Sequence, residues 1–341
     1  MTPSKFKFSM TSKDSSEQSN LSQQIVGMTL AERYEVVRLV GKGGMSWVFE
    51  SMDTQTQQNV ALKVLLPHLS EKVGPTLRFL REAHIQSSLQ HESIVSLLAT
   101  GQSKGLSFLV LEWIKGENLH RMLERISPPY NLLDIFRLME PICSAVGFAH
   151  HQQMVHRDLK PENFLINWDQ GRPIVKVSDF GVAKAIDLIE DSKTRSDMML
   201  GTIPYMSPEQ IQKASLADLR SDIYSLGVCL YHLAVGRLPF VGKPHSVLTR
   251  TMIELPLPPN QINPNIPRGL NNLILRCLEK EPKARFQTCN ELLSGLKLLL
   301  PSEFEHKPST DWPTELFPPK DSQDSKPSEH SIEPLTRTMA N

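Results

Sequence analysis

Apolar residues follow two different rhythms along the chain. In Tyr34-Glu35-Val36-Val37-Arg38-Leu39-Val40 and in Val60-Ala61-Leu62-Lys63 apolar and polar positions tend to alternate, and a period of two sends successive side chains to opposite faces of a strand. Phe108-Leu109-Val110-Leu111-Glu112-Trp113-Ile114 is almost wholly apolar, which predicts a buried strand. Farther on the period lengthens. Ile135, Phe136, Leu138, Met139, Ile142, Val146 and Ala149 recur near i, i+3, i+4 and i+7, so a long helix with one buried face is predicted over 132–152. Further helices are predicted over 76–90, 246–253, 269–279 and 290–300, with Gly74-Pro75 read as breaking any helix before Thr76. Short strands are predicted at 164–166 and 174–177, joined by the turn Trp168-Asp169-Gln170-Gly171. The ends follow neither rhythm. Residues 1–33 are rich in Ser, Lys, Gln and Thr, and residues 301–341 in Pro, Ser and Glu, which predicts a flexible arm and a disordered tail.

Composition narrows the picture. The 341 residues carry 37 Lys plus Arg against 37 Asp plus Glu, so no net field draws the chain to nucleic acid or an anionic membrane. Cys143, Cys229, Cys277 and Cys289 are scattered, without the spacing of a zinc site or a disulfide framework, and read as reduced thiols. No apolar run approaches the roughly 20 residues that span a bilayer. The expectation is a soluble, cytoplasmic protein without nucleic-acid or membrane partners.

Two stretches carry candidate chemistry. Gly41-Lys42-Gly43-Gly44-Met45-Ser46-Trp47-Val48 reads as strand, glycine turn and strand, a hairpin whose tip can lie over phosphates because glycine has no Cβ. His156-Arg157-Asp158-Leu159-Lys160-Pro161-Glu162-Asn163, with Asp179-Phe180-Gly181 downstream, supplies the parts of phosphoryl transfer, where positioning and charge neutralisation set the rate. Asp158 is suited to accept the proton of an attacking hydroxyl and Lys160 to neutralise the transferring group. Asn163 and Asp179 are suited to hold Mg²⁺.

In this order and spacing the motifs resemble the protein kinase family, and Gly-Gly-Met-Ser with Tyr205-Met206-Ser207-Pro208-Glu209-Gln210 resembles its bacterial, eukaryotic-like (Hanks-type) Ser/Thr members. The resemblance covers 34–300. It implies an α+β, bilobal kinase fold, with a β-rich N-lobe containing one main helix (34–113) and a mostly α-helical C-lobe (114–300). It implies that ATP lies under Val40, Gly41, Lys42, Gly43, Gly44, Met45, Ser46, Trp47 and Val48, against Ala61 and Leu111, with backbone groups of Glu112 and Ile114 at the adenine edge. Lys63 would contact phosphates and pair with Glu82. Ser46 stands where relatives carry a third glycine. Gln86 stands where they generally carry an apolar or small side chain, which implies a weakened active arrangement.

The resemblance further implies that Asp222 holds the catalytic loop and that Glu209 pairs with Arg285. Lys160 and Thr202 are typical of Ser/Thr specificity. Arg157 would gather a phosphate on the segment after Asp179, with Thr194 and Ser196 as autophosphorylated positions. ATP, Mg²⁺ (or Mn²⁺ in its place), protein substrates and a homodimer suited to trans-autophosphorylation complete the implied partners. Two alternatives stand beside this reading. A kinase-like small-molecule phosphotransferase is opposed by Tyr205 to Glu209, which resembles a peptide-positioning floor. A pseudokinase scaffold is opposed by the presence of Lys63, Asp158, Asn163 and Asp179 together.

Overall fold

The computed structural model describes residues 21–70, 72–126, 129–180 and 201–301. Strands β1 (Thr29–Leu30), β2 (Tyr34–Lys42), β3 (Ser46–Asp53), β4 (Gln58–Leu65), β5 (Leu97–Ser103) and β6 (Leu106–Glu112) form one sheet, in the order β1-β2-β3-β4-β6-β5. All its pairings are antiparallel. Leu30, Tyr34, Val36, Trp47, Phe49, Leu62, Phe108 and Val110 pack on one face. Ala61, Leu65, Leu109 and Leu111 pack on the other, with Phe79 and Ala83 from a helix that follows β4.

A short helix, α1 (residues 21–25), lies on the first face, where Leu21 and Ile25 bury beside Leu30. This corrects part of the expected arm at 1–33. Residues 21–33 belong to the packed lobe, and residues 1–20 lie outside the described residues. Helices α2 (Pro67–Ser70) and α3 (Val73–Ser88) follow β4. Helix α3 begins three residues before the predicted start. Gly74 and Pro75 occupy its first turn, where a missing N–H breaks no intrahelical bond.

The second lobe is built on α4 (Leu119–Arg125), α5 (Leu132–His151), α6 (Pro208–Gln212) and α7 (Leu219–Val235). It is completed by α8 (Pro244–Ile253), α9 (Pro259–Ile262), α10 (Arg268–Cys277) and α11 (Cys289–Lys297). Asn131 caps α5 by accepting the Asp134 N–H, and Asp218 caps α7 by accepting the Arg220 N–H. Gly236 ends α7 at φ 83°, a left-handed position that glycine adopts without a Cβ clash. The buried faces of α5 and α7 form one core with α10 and α11. A small antiparallel sheet of β7 (Glu117–Asn118), β8 (Phe164–Asp169) and β9 (Arg172–Val177) sits beside it. The chain leaves α5 into the segment 152–163 and leaves β9 at Val177, so the two motif-bearing stretches emerge side by side.

Candidate active site

The catalytic-loop motif is held from below. Asp222, fully buried on α7, accepts the backbone N–H groups of His156 and Arg157, each at 2.8 Å, and faces His150 Nε2 at 2.8 Å. Arg157 has φ 65°, a left-handed conformation that costs energy outside glycine and needs such anchoring. His156 Nδ1 accepts the Asp158 N–H at 3.3 Å, which leaves Nε2–H to donate to the Ser178 carbonyl at 3.0 Å. The Phe180 ring lies on this histidine, centroid to centroid 4.7 Å. One imidazole therefore fixes both the loop and the start of the Asp179 segment.

Above this base the polar groups converge. The Thr202 hydroxyl donates to Asp158 Oδ1 at 3.1 Å and accepts from Lys160 Nζ at 2.6 Å, while Lys160 Nζ lies 3.2 Å from Asp158 Oδ1. Asn163 Nδ2 donates to the Asp158 carbonyl at 2.7 Å. Asp179, at φ 58°, receives Lys63 Nζ at 2.6 Å across the cleft. Lys63 and Asp158 are themselves buried. Charged groups removed from water need such partners, and here each positive group meets a carboxylate.

The donor set fits a Mg²⁺ ion, a hard cation that takes one or two protein oxygens and completes its shell with phosphates and water. Asp179 brings a carboxylate. Asn163 commits its amide nitrogen to Asp158, leaving Oδ1 as its remaining hard oxygen. Among the described residues no cluster of three or more His, Cys, Asp or Glu suggests another metal centre.

The predicted nucleotide residues divide into those that meet and those that do not. Val48, Ala61, Leu111 and Ile114 share one apolar cluster beneath the β2–β3 turn, joined by Leu165 of β8. Leu165 is not among the nucleotide residues expected from the sequence. Its place two positions after Asn163 on an alternating strand is the signal that could have marked it. The turn itself is closed by the Gly43 N–H on the Ser46 carbonyl at 2.8 Å. Ser46 is the first residue of β3, paired with Leu65, so the absent third glycine requires no positive φ there. The Trp47 side chain is a correction. It packs edge-on to Phe49 on the outer face of the sheet, because neighbouring strand residues face opposite ways, and only its backbone remains for a nucleotide. Val40, Gly41 and Lys42 lie on β2 and Gly44 and Met45 in the turn. The Glu112 N–H is bound by the Ser96 carbonyl at 2.9 Å, so that donor is already engaged. Its side chain faces Lys176 of β9 at 2.9 Å, an interlobe ion pair with no local sequence signal. Glu82 lies on α3, with its side chain outside the description, and Thr194 and Ser196 lie outside the described residues.

The floor in front of the loop is equally bound. Ser207 caps α6 in a reciprocal arrangement with Gln210, whose Nε2 donates to the Arg157 carbonyl at 2.9 Å. Glu209 meets the fully buried Arg285 through two bonds of 2.7 and 2.8 Å and accepts from Ser221 Oγ at 2.6 Å. Burial pushes the Glu209 carboxyl up, but the Arg285 hydrogen bonds and charge, with Ser221, hold it below its ordinary range.

The family model for the protein kinase domain matches residues 34–295. The chain belongs to the protein kinase family. Among curated proteins it is similar to the serine/threonine-protein kinase pkn3 of Myxococcus xanthus, 39% identical over 271 residues, 77% of this chain and 49% of that one. It is also similar to PrkC of Bacillus subtilis, 34% identical over 80% of this chain and 41% of that one. A probable serine/threonine-protein kinase of Clostridium acetobutylicum is 35% identical over 80% of this chain and 40% of its own length. This kinase-family chain thus spans between two fifths and half of the length of these relatives. Among solved structures, a double mutant of the Mycobacterium tuberculosis PknI kinase domain matches with a TM-score of 0.62 at 24% identity, covering 80% of this chain and 97% of that one. That likeness confirms the kinase fold. No helix among the described residues is long and apolar enough to cross a membrane.

Proposed function

We propose that this chain is a Ser/Thr protein kinase that transfers the γ-phosphate of Mg²⁺-ATP to hydroxyls of protein substrates. The observation that carries the reading is the convergence of Asp158, Thr202 and Lys160 in one hydrogen-bonded set, opposite the Lys63–Asp179 pair. Asp158 orients the acceptor hydroxyl and takes its proton, within a loop whose backbone Asp222 holds. Lys160, kept beside Asp158 by Thr202, offsets charge developing on the transferring group. Lys63 aligns the nucleotide phosphates. Val48, Ala61, Leu111, Ile114 and Leu165 hold the adenine by apolar contact. Asn163 and Asp179 would hold Mg²⁺, which when bound neutralises phosphate charge.

The names of the relatives support the Ser/Thr class. The test is transfer of labelled γ-phosphate to the protein itself and to a generic basic protein, with Lys63→Met and Asp158→Asn beside wild type. Transfer by wild type that both substitutions abolish is expected. ATP binding without transfer under every divalent-ion condition would sink the reading.

Activation-segment phosphorylation is a further part of this proposal. Arg157 Nε is buried with no partner among the described residues, and a guanidinium readily forks onto phosphate oxygens. Phosphate on Thr194 and Ser196 is expected by mass spectrometry in wild type and absent in Asp158→Asn. Fully active wild type with both positions unmodified would remove them as activating sites.

A further inference from the structure

Helix α3 is loosely seated. Its N-cap residue, Lys72, makes no side-chain capping bond, and among the described side chains of the helix only Phe79, Ala83 and Gln86 are buried. Leu77 and Leu80 face solvent. A cavity of about 420 Å³ opens between Leu80, Ala83, His84 and Ser87 of the helix and residues 97–100 of edge strand β5. With so little apolar contact, the one buried polar group weighs heavily in deciding where the helix sits.

That group is Gln86, 2% exposed, whose Nε2 donates to the Val95 carbonyl at 2.8 Å. Residues 93–95 are in turn stitched to β9. The Val95 N–H donates to the Val177 carbonyl at 3.0 Å and the Val177 N–H to the Ser93 carbonyl at 2.8 Å, with Ile94 and Val177 forming a parallel bridge. Asp179 lies two residues beyond Val177. Between them, Ser178 donates its N–H to the Asn163 carbonyl at 2.9 Å. Three hydrogen bonds thus run from the helix through a three-residue strap to the strand that delivers Asp179. Gln86 lies one turn after Glu82 and one turn after Ala83, on the helix face turned to the sheet. A rotation that breaks its bond would leave a buried amide and a carbonyl unpaired, which opposes that rotation, and on the kinase reading it would move Glu82, the expected partner of Lys63, along with the helix.

We infer that Gln86 is a positioning residue that locks helix α3 to the Asp179 strand through the 93–95 strap. The inference rests on the kinase reading for its consequence in catalysis, though not for its geometry. The position expected to weaken the active arrangement is then the one that fixes it. A methionine fills the same space without donating, and a glutamate keeps the shape while replacing the donor by an acceptor.

The test compares Gln86→Met and Gln86→Glu with wild type, as the full chain, by steady-state transfer to a peptide and by hydrogen exchange at the Val95 and Val177 amides. Both variants are expected to lose about tenfold in kcat with the peptide KM unchanged, the size of effect set by one buried hydrogen bond, and to exchange faster at those two amides. Wild-type kcat in both variants would overturn the inference. So would a fall in activity matched by a fall in folded fraction with no kcat-against-KM split, which is what a purely structural role gives. If wild type itself transfers no phosphate, the kinase reading fails and the exchange measurement alone decides. Unchanged protection at Val95 and Val177 would then reject the lock, and faster exchange would establish it.

Discussion

The two sides of the cleft are secured by opposite means. On the lower side, the loop bearing Asp158 is pinned to the fully buried Asp222, to Gln210 and to Ser178 through His156. These anchors sit on elements whose apolar faces form the largest core of the molecule. On the upper side, among its described side chains, helix α3 rests on the buried Phe79 and Ala83, the half-buried Ile85 and the Gln86 tether. The Asp158 carboxylate, proposed to accept the proton, is therefore anchored on the larger core, whereas helix α3, which carries the expected partner of Lys63, has few buried contacts among its described side chains. Low contact density marks the elements that open at least cost.

Substitutions can break or sharpen this contrast. The largest effect is expected from Asp158→Asn, which leaves the scaffold intact but removes the proton acceptor. Phosphate transfer should fall by about 10³-fold, within the range for general bases, while the melting temperature stays at the wild-type value. A large loss of stability instead would show that the loop is less independently anchored than its bonds suggest.

Arg285→Ala should follow, as a loss of stability on the anchored side. It leaves the buried Glu209 carboxylate without its cation, a change that typically costs 3–5 kcal/mol. For a domain of this size that lowers the melting temperature by roughly 10 °C. The pH dependence has a definite sign. The folded-state Glu209 lies below its ordinary value of 4.5, so its stabilisation is complete above that pH and is lost as pH falls through the folded value. Melting temperatures of wild type should decline below pH 4.5 more steeply than those of Glu209→Gln; parallel curves would contradict the assignment.

A smaller effect is expected at Thr202, whose hydroxyl links Lys160 to Asp158. Thr202→Val should lower kcat roughly tenfold, the scale of one hydrogen bond to charged groups, and Thr202→Ser should restore most of it. Equal rates in the two variants would exclude the hydroxyl as the operative group. The smallest effect is expected from Ser46→Gly. Since Ser46 begins a paired strand, restoring a glycine should change the KM for ATP by less than about twofold and cost about 0.5–1 kcal/mol of stability. A large improvement in KM would show that the serine restrains the turn.

Much of the anchored side was legible in the sequence. His156 to Asn163 and Asp179-Phe180-Gly181 are contiguous, and their chemistry is carried by residue types that have few other reasons to stand at that spacing. The Asp222 and Arg285 contacts were expected by resemblance and are seen in the hydrogen bonds. What escaped depends on which way a side chain turns or on partners distant in sequence. Trp47 sits in the glycine hairpin but faces outward. Leu165 joins the apolar cluster of Ala61 and Leu111 only because β8 of the second lobe packs against the first. Lys176 meets Glu112 across 64 residues, and no periodicity encodes such a pair. Gln86 was visible as an oddity, yet its meaning required the Val95 carbonyl that receives it.

The roof formed by residues 21–30 has a practical consequence for anyone trimming this protein. A chain cut at Tyr34, where the family match starts, would strip Leu21, Ile25 and Leu30 from the face carrying Tyr34, Val36, Trp47 and Phe49. It would also turn β2 from an interior strand into an edge. A bared apolar sheet face next to an unpaired strand is a template for aggregation. Insolubility of such a fragment would then report a lost lid on the sheet rather than a failure of the catalytic machinery.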